Sequence, residues 1–174
     1  MKTRQIAIMG LLTATGTLSS HILAIPVAGA KVFPVQHAVN VISAVTLGPS
    51  HAVAVAFGIA LLRNFLGTGT LLAFPGSMIG AFVAGRAYRA TGAVWWAACG
   101  EVFGTGVLGA LVSYPIARVL MGKDVAALAY VLPFGTSSMA GALIGSVVLV
   151  ALRRAKMLWD QPAYRPRPHR YTRT

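Results

Sequence analysis

Residues Arg63 to Gly80 read RNFLGTGTLLAFPGSMIG, and they interrupt an otherwise apolar chain. Arg63 and Asn64 close one hydrophobic run. Gly67 and Gly69 flank Thr68, and Thr70 follows. Pro75, Gly76 and Ser77 then have the chemistry of a helix start. Proline is tolerated in a first turn, and a nearby Ser or Gly suits free amides. Irregular backbone beside membrane-spanning helices is tolerated chiefly where protein buries it or where it lines a wet cavity. Most Gly/Pro clusters are only turns, so an ordinary connector is the alternative. We take the stretch as the wall of a binding site.

Working outward, the composition sets the class. Of 174 residues, 56% are hydrophobic and only 10% charged, with a mean hydropathy of +0.72. A soluble domain carries about 25% charged residues, so this chain has too little polar surface for a water-soluble globule. Its length allows about six spans of ~20 residues with short loops. The expected fold is all-α: a polytopic membrane protein of six transmembrane helices, with residues 1–158 forming the membrane domain and 159–174 a disordered Pro/Arg-rich tail. The net charge is +12, and the only acids are Glu101, Asp124 and Asp160. Seven of the fifteen basic residues follow Leu152, in a tail rather than on a folded face. That distribution argues against a nucleic-acid partner and for a cytoplasmic tail beside the lipid bilayer. Cys99 is the sole cysteine; it cannot form an internal disulfide, and no metal-type spacing exists.

The apolar run from Ile6 to about Val27 has a small-x-small site after it, Ala28-Gly29-Ala30, as a cleaved signal peptide would. It is long for a signal core and rich in Thr and Ser, so it reads better as a first helix. Gly10 and Ala14, four apart, let a neighbouring backbone come close. Lys31 to Gln36 is a short loop, and His37 to Leu47 a second segment. Gly48-Pro49-Ser50 is a break, and His51 to Leu66 a third segment. Gly76 to about Ala87 is a fourth. Val94 to about Leu120 is a fifth, interrupted by Pro115, with Trp95 and Trp96 suited to a membrane interface. Gly122-Lys123-Asp124 is a turn, Val125 to Tyr130 a lateral connector, and Pro133 to Leu152 a sixth segment. With six spans and both termini cytoplasmic, eleven basic residues lie inside and four outside, as the positive-inside rule requires. Lys31 to Asn40, the central stretch and Gly122 to Pro133 then lie at the outer face.

Polar residues within membrane helices are costly and tend to face a bundle interior or cavity. Glu101, in GEVFGTGVLG, is read as a ligand-facing acid, as a partner for Arg63, or as part of a packing network that binds nothing. Arg63 could instead snorkel to the interface. Gln36, His37 and Asn40 share one turn and could hydrogen-bond a small heterocycle, although a lone histidine is often just a satisfied helix-end residue. His21 and His51 show no metal spacing. Phe74, Tyr114, Tyr130 and Phe134 could stack on a ring or anchor at the interface. Ser137 and Ser138 could face a pocket or cap a helix. GxSxG, HExxH, P-loop and paired carboxylates are all missing from the sequence, so no catalytic constellation, metal site or cofactor is expected.

Three blocks carry a family resemblance: PVQHAVNV (Pro34 to Val41), LLRNFLGTGTLLAFPGSMIGA (Leu61 to Ala81) and GEVFGTGVLGALVSYPIA (Gly100 to Ala117). They resemble ThiW, the thiazole-type substrate-binding S component of energy-coupling factor (ECF) transporters, over most of residues 4–152. The resemblance implies a six-helix subunit in the cell membrane. Such a subunit captures hydroxyethylthiazole, a thiamine precursor, near the outer face. Gly10 and Ala14 on the first helix would dock on a transmembrane coupling subunit, which joins two cytoplasmic ATPases. The expected substrate-binding residues are Gln36, His37, Asn40, Arg63, Asn64, Thr68, Phe74, Ser77, Glu101 and Thr105. The alternatives are an S component or solitary carrier for thiamine or another vitamin precursor, a membrane enzyme, and a structural subunit.

Overall fold

A computed structural model describes residues 3–27 and 30–155. The expected tail, 159–174, lies outside the described residues. Six helical rods follow one another: α1 (Thr3–Ile22), α2 (Pro34–Leu47), α3 (Pro49–Phe65), α4 (Ala73–Thr91), α5 (Val94–Leu120) and α6 (Val131–Arg154).

The boundaries follow local chemistry. Pro34 and Pro49 occupy the first turns of α2 and α3, where a missing N–H is harmless. Gly48 alone joins these two helices, at φ 85°, a left-handed conformation that favours glycine. Gly92 closes α4 with φ 71°, and its N–H donates to Tyr88 O.

Two expectations need correction. The first helix does not run to Val27: α1 ends at Ile22, and a short antiparallel hairpin follows, β1 (Ile25–Val27) and β2 (Ala30–Val32). Pro26 explains this, since it cannot continue a helix and drives Ile25 into an extended conformation. The chain is mostly helical, as expected, with this one short hairpin among the described residues. The loop assigned to 31–36 is also shorter than expected, because α2 begins at Pro34. Residues 122–126 have no regular structure and 127–130 form turns, which suits the connector role.

The helices are held together by small residues. On α4, Gly76, Gly80 and Ala84 recur every fourth position and form one stripe. On α5, Gly109, Gly104 and Gly100 meet them in reverse order. A methyl on Gly104 would lie 2.8 Å from Gly80 Cα, one on Gly109 2.7 Å from Gly76 Cα, and one on Gly100 3.0 Å from Ala84 Cα. Only hydrogens fit at such a crossing. The core beside it is similarly fine-grained: Ala44, Ala52, Ala56, Ala81, Ala84, Ala97 and Ala142 with Val41, Val45 and Leu149. Ile8, Met9 and Leu12 seat α1 on Val39, Val55 and Ile59.

The outside is apolar. On α5, Phe103, Val107, Leu108, Leu111 and Val112 are exposed; on α6, Met139, Leu143, Ile144, Val147, Val148 and Val150 are exposed. The buried set includes Gln36, His37, Asn40, Arg63, Ser77, Glu101 and Thr105. A surface of this kind suits lipid. Among the described residues α5 and α6 are long and apolar enough to cross a membrane. α2 and α3 have 14 and 17 residues, about 21 and 26 Å at 1.5 Å per residue.

Candidate functional site

The links at one end of the bundle are single residues or a tight turn: Gly48 between α2 and α3, and Gly92-Ala93 between α4 and α5. The links at the other end are the hairpin, the Leu66–Leu72 loop and the 121–130 connector. A cavity of about 650 Å³ opens among these longer links. Its walls come from the end of α1 and the hairpin (Ser20, Ala24, Lys31, Phe33), from α2 (Gln36, His37), and from Arg63 with the loop Gly67–Thr70. The start of α4 (Ala73, Gly76, Ser77), Thr105, Lys123 and the start of α6 (Tyr130, Pro133, Phe134, Ser137) complete it.

Beneath the floor lies a polar cluster centred on Glu101, which has no exposed surface. Its Oε1 is 2.8 Å from His37 Nδ1 and accepts from Asn40 Nδ2 at 3.0 Å; Thr105 Oγ1 is also 3.0 Å away. Asn40 donates further to Ser77 O at 3.2 Å, and Thr105 Oγ1 lies 3.0 Å from Gly76 O. The cluster thus ties α2, α4 and α5 together directly under the cavity. Glu101 Oε2 and Asn40 Oδ1 are buried without a protein partner, an uncommon state for buried polar atoms. Because Glu101 takes His37 Nδ1, the imidazole edge carrying Nε2 remains for the cavity.

Arg63 forms a second centre. Though at the end of α3, it is only 3% exposed, so it turns inward rather than snorkelling. Its Nη1 donates to Gln36 Oε1 and its Nη2 to Thr68 O at 2.9 Å. Its guanidinium lies 3.7 Å from the centre of the Phe33 ring, a cation–π geometry. The backbone amides of Thr68 and Gly69 both donate to Arg63 O at 2.9 Å. Gly67, at φ 71°, permits that tight return. Ser20 Oγ and Thr68 Oγ1 are 3.2 Å apart, so the loop also reaches α1.

Of the residues singled out in the sequence, Gln36, His37, Arg63, Thr68, Ser77 and Thr105 line the cavity, while Asn40 and Glu101 support it from below. Asn64 and Phe74 are not among the lining residues. Asn64 donates to Ala60 O and Thr70 O, bracing the loop, and Phe74 packs on Phe57 with centroids 5.6 Å apart. Sequence reading named no role here for Ser20, Lys31, Phe33 or Lys123. Lys31 lies on β2 of the unforeseen hairpin and Phe33 just after it, and the hairpin brings both to the cavity. Tyr130 and Phe134, 5.9 Å apart, and Ser137 take the pocket-facing option. Ser137 Oγ also accepts the Phe33 amide at 2.9 Å. Tyr114 lies instead beside Arg118, whose Nη1 donates to its hydroxyl at 3.1 Å. Gly10 and Ala14 are exposed on α1, and nothing lies within 4 Å of a methyl placed at Gly10.

A mixed polar and aromatic cavity is sunk in one end of a helical bundle with an apolar exterior, a setting in which small-molecule sites commonly occur. A family model described as thiamine-precursor transporter protein (ThiW) matches residues 6–155, and the chain belongs to that family. It is a membrane protein of a thiamine-precursor transporter family. No curated protein and no solved structure matches the chain.

Proposed function

We propose that the chain is the substrate-binding S subunit of an ECF-type transporter and captures hydroxyethylthiazole at the outer face of the cell membrane. The observation that carries this reading is the cavity itself. It is compact, with Tyr130 and Phe134 to face a ring. Gln36, His37, Ser77 and Thr105 offer hydrogen bonds to the ring nitrogen or hydroxyl. Glu101 sits beneath the floor and reaches the cavity only through His37, whose Nδ1 lies 2.8 Å from its Oε1.

The topology in this proposal has six spans with both termini inside. Arg4, Arg86, Arg89, Arg153 and Arg154 gather at the end of the bundle opposite the cavity, which agrees with the positive-inside rule. The short α2 is buried along most of its length. Gly10 and Ala14, facing outward on α1, provide a flat strip for a transmembrane coupling subunit, which would link the chain to two ATPases.

Calorimetry on the purified full chain in detergent tests the substrate. Hydroxyethylthiazole is expected to bind with one-to-one stoichiometry. Binding of thiamine in its place would overturn the substrate. Binding of neither, to protein with a cooperative melt, would overturn the capture role.

A further inference from the structure

We infer that the cavity is a charge filter: it admits uncharged or anionic heterocycles and rejects a ring bearing a fixed positive charge. The inference rests on the cavity being the ligand site, and it concerns which ligands that site refuses.

Three cationic side chains, Lys31, Arg63 and Lys123, line the cavity, and no Asp or Glu is among its described lining residues. Lys31 and Lys123 are exposed at the rim. Arg63 is buried in the wall, and its Nε has no protein partner. A buried guanidinium acts on the cavity with little screening. Against these three cations stands one buried acid near the cavity, Glu101, which is not among the lining residues. Glu101 sits below the floor beside His37, and its free oxygen points at Gly80, 2.6 Å from where a methyl there would lie. Asp124 is 98% exposed and lies 3.7 Å from Arg118 Nη2.

A site for a quaternary cation ordinarily supplies an acid or an open aromatic face. Here the face of Phe33 is already covered by Arg63 at 3.7 Å. Tyr130 and Phe134 remain, tilted 42° to one another. They suit the flat face of a neutral ring better than they enclose a cation. A precursor is thus taken up before its ring nitrogen is alkylated, and the alkylated product is refused although it contains the same ring.

The test compares hydroxyethylthiazole with its N-methylthiazolium derivative by calorimetry on the full chain. A neutral 2-methyl analogue of similar bulk controls for size. The thiazolium is expected to bind on the order of tenfold or more weakly than the neutral analogue, as unit charges a few ångströms apart in a partly buried site imply. Raising the salt should narrow the gap, and so should Lys31→Gln combined with Lys123→Gln, both at exposed positions. A size effect would respond to neither. Equal affinity for the two rings, or a gap indifferent to both salt and the lysine substitutions, would overturn the filter. Failure of every ring to bind folded protein would instead overturn the ligand site on which the filter rests.

Discussion

The same substitution, glycine to alanine, should act in opposite directions at two places in this chain. At Gly80 the new methyl would collide with Thr105 Oγ1 and lie 2.6 Å from Glu101 Oε2. Gly80 Cα is also the surface against which Gly104 packs, so closely that a methyl on Gly104 would lie 2.8 Å from it. The methyl can be housed only if α4 and α5 separate or if Thr105 and Glu101 leave their hydrogen bonds. Overpacking of this kind costs about 1–3 kcal/mol, and a lost buried hydrogen bond adds about 1 kcal/mol. At Gly10 nothing lies within 4 Å, so alanine adds no clash and improves helix propensity by about 0.5–1 kcal/mol. Thermal unfolding of the purified chain in detergent should therefore separate the variants. Gly80→Ala should melt roughly 5–10 °C below the parent, and Gly10→Ala at or slightly above it, at about 2–4 °C per kcal/mol. Calorimetry should show weaker hydroxyethylthiazole binding for Gly80→Ala, because the same methyl displaces the support of His37. A Gly80→Ala variant that melts with the parent and binds like it would refute the close crossing and the link between packing and site.

Three further outcomes follow from the same contacts. Glu101→Ala removes the side-chain partner of His37, whereas Asn40 and Thr105 keep the carbonyls of Ser77 and Gly76; affinity should fall about tenfold, the effect of about 1.4 kcal/mol, and Glu101→Gln, which keeps an acceptor, should lose less. Equal losses in the two variants would show that the acceptor is unimportant. Arg63→Met strips Gln36 Oε1 and Thr68 O of their donor, at about 1–3 kcal/mol for each buried group left unmet. Hydrogen exchange over residues 66–72 should then rise, with faster ligand release. Gly10→Leu with Ala14→Leu should leave calorimetric binding in place while reducing co-purification with the proposed coupling subunit; loss of both together would count against a separate docking face.

Much of this was legible because membrane packing writes itself in small residues and rare polar ones. Glu101, Arg63 and the Gln36–His37–Asn40 turn stood out as costly groups in an apolar background, and the fold gathers all of them around or beneath one cavity. What stayed hidden depended on tertiary geometry. Pro26 could have flagged the early end of α1, but its apolar neighbours Ile25 and Val27 extend a hydrophobic run equally well as helix or strand. Without the hairpin, Phe33 had no reason to meet Arg63, nor Lys31 to line the cavity. Asn64 and Phe74 lie in the most distinctive stretch of the chain, yet their side chains brace its loop and helix from behind, a distinction of direction that spacing along an irregular segment does not encode.

Gly104 and Gly109 show how the packing and the site share one cause. The stripe on α4 advances by four residues, from Gly76 to Gly80, but its partners on α5 are five apart. Segment Gly104–Gly109 is π-helical, and a widened turn takes up one extra residue. The extra residue lets both glycines reach the stripe despite the mismatch in spacing. It also holds Thr105 in the widened turn, where its hydroxyl meets both Gly76 O and Glu101 Oε1 and reaches the cavity wall. A regular helix through 104–109 would rotate either Gly109 away from Gly76 or Thr105 away from Glu101. Deleting one residue between 105 and 108 should therefore disturb helix packing and ligand binding together, because one turn of backbone sets the register of both.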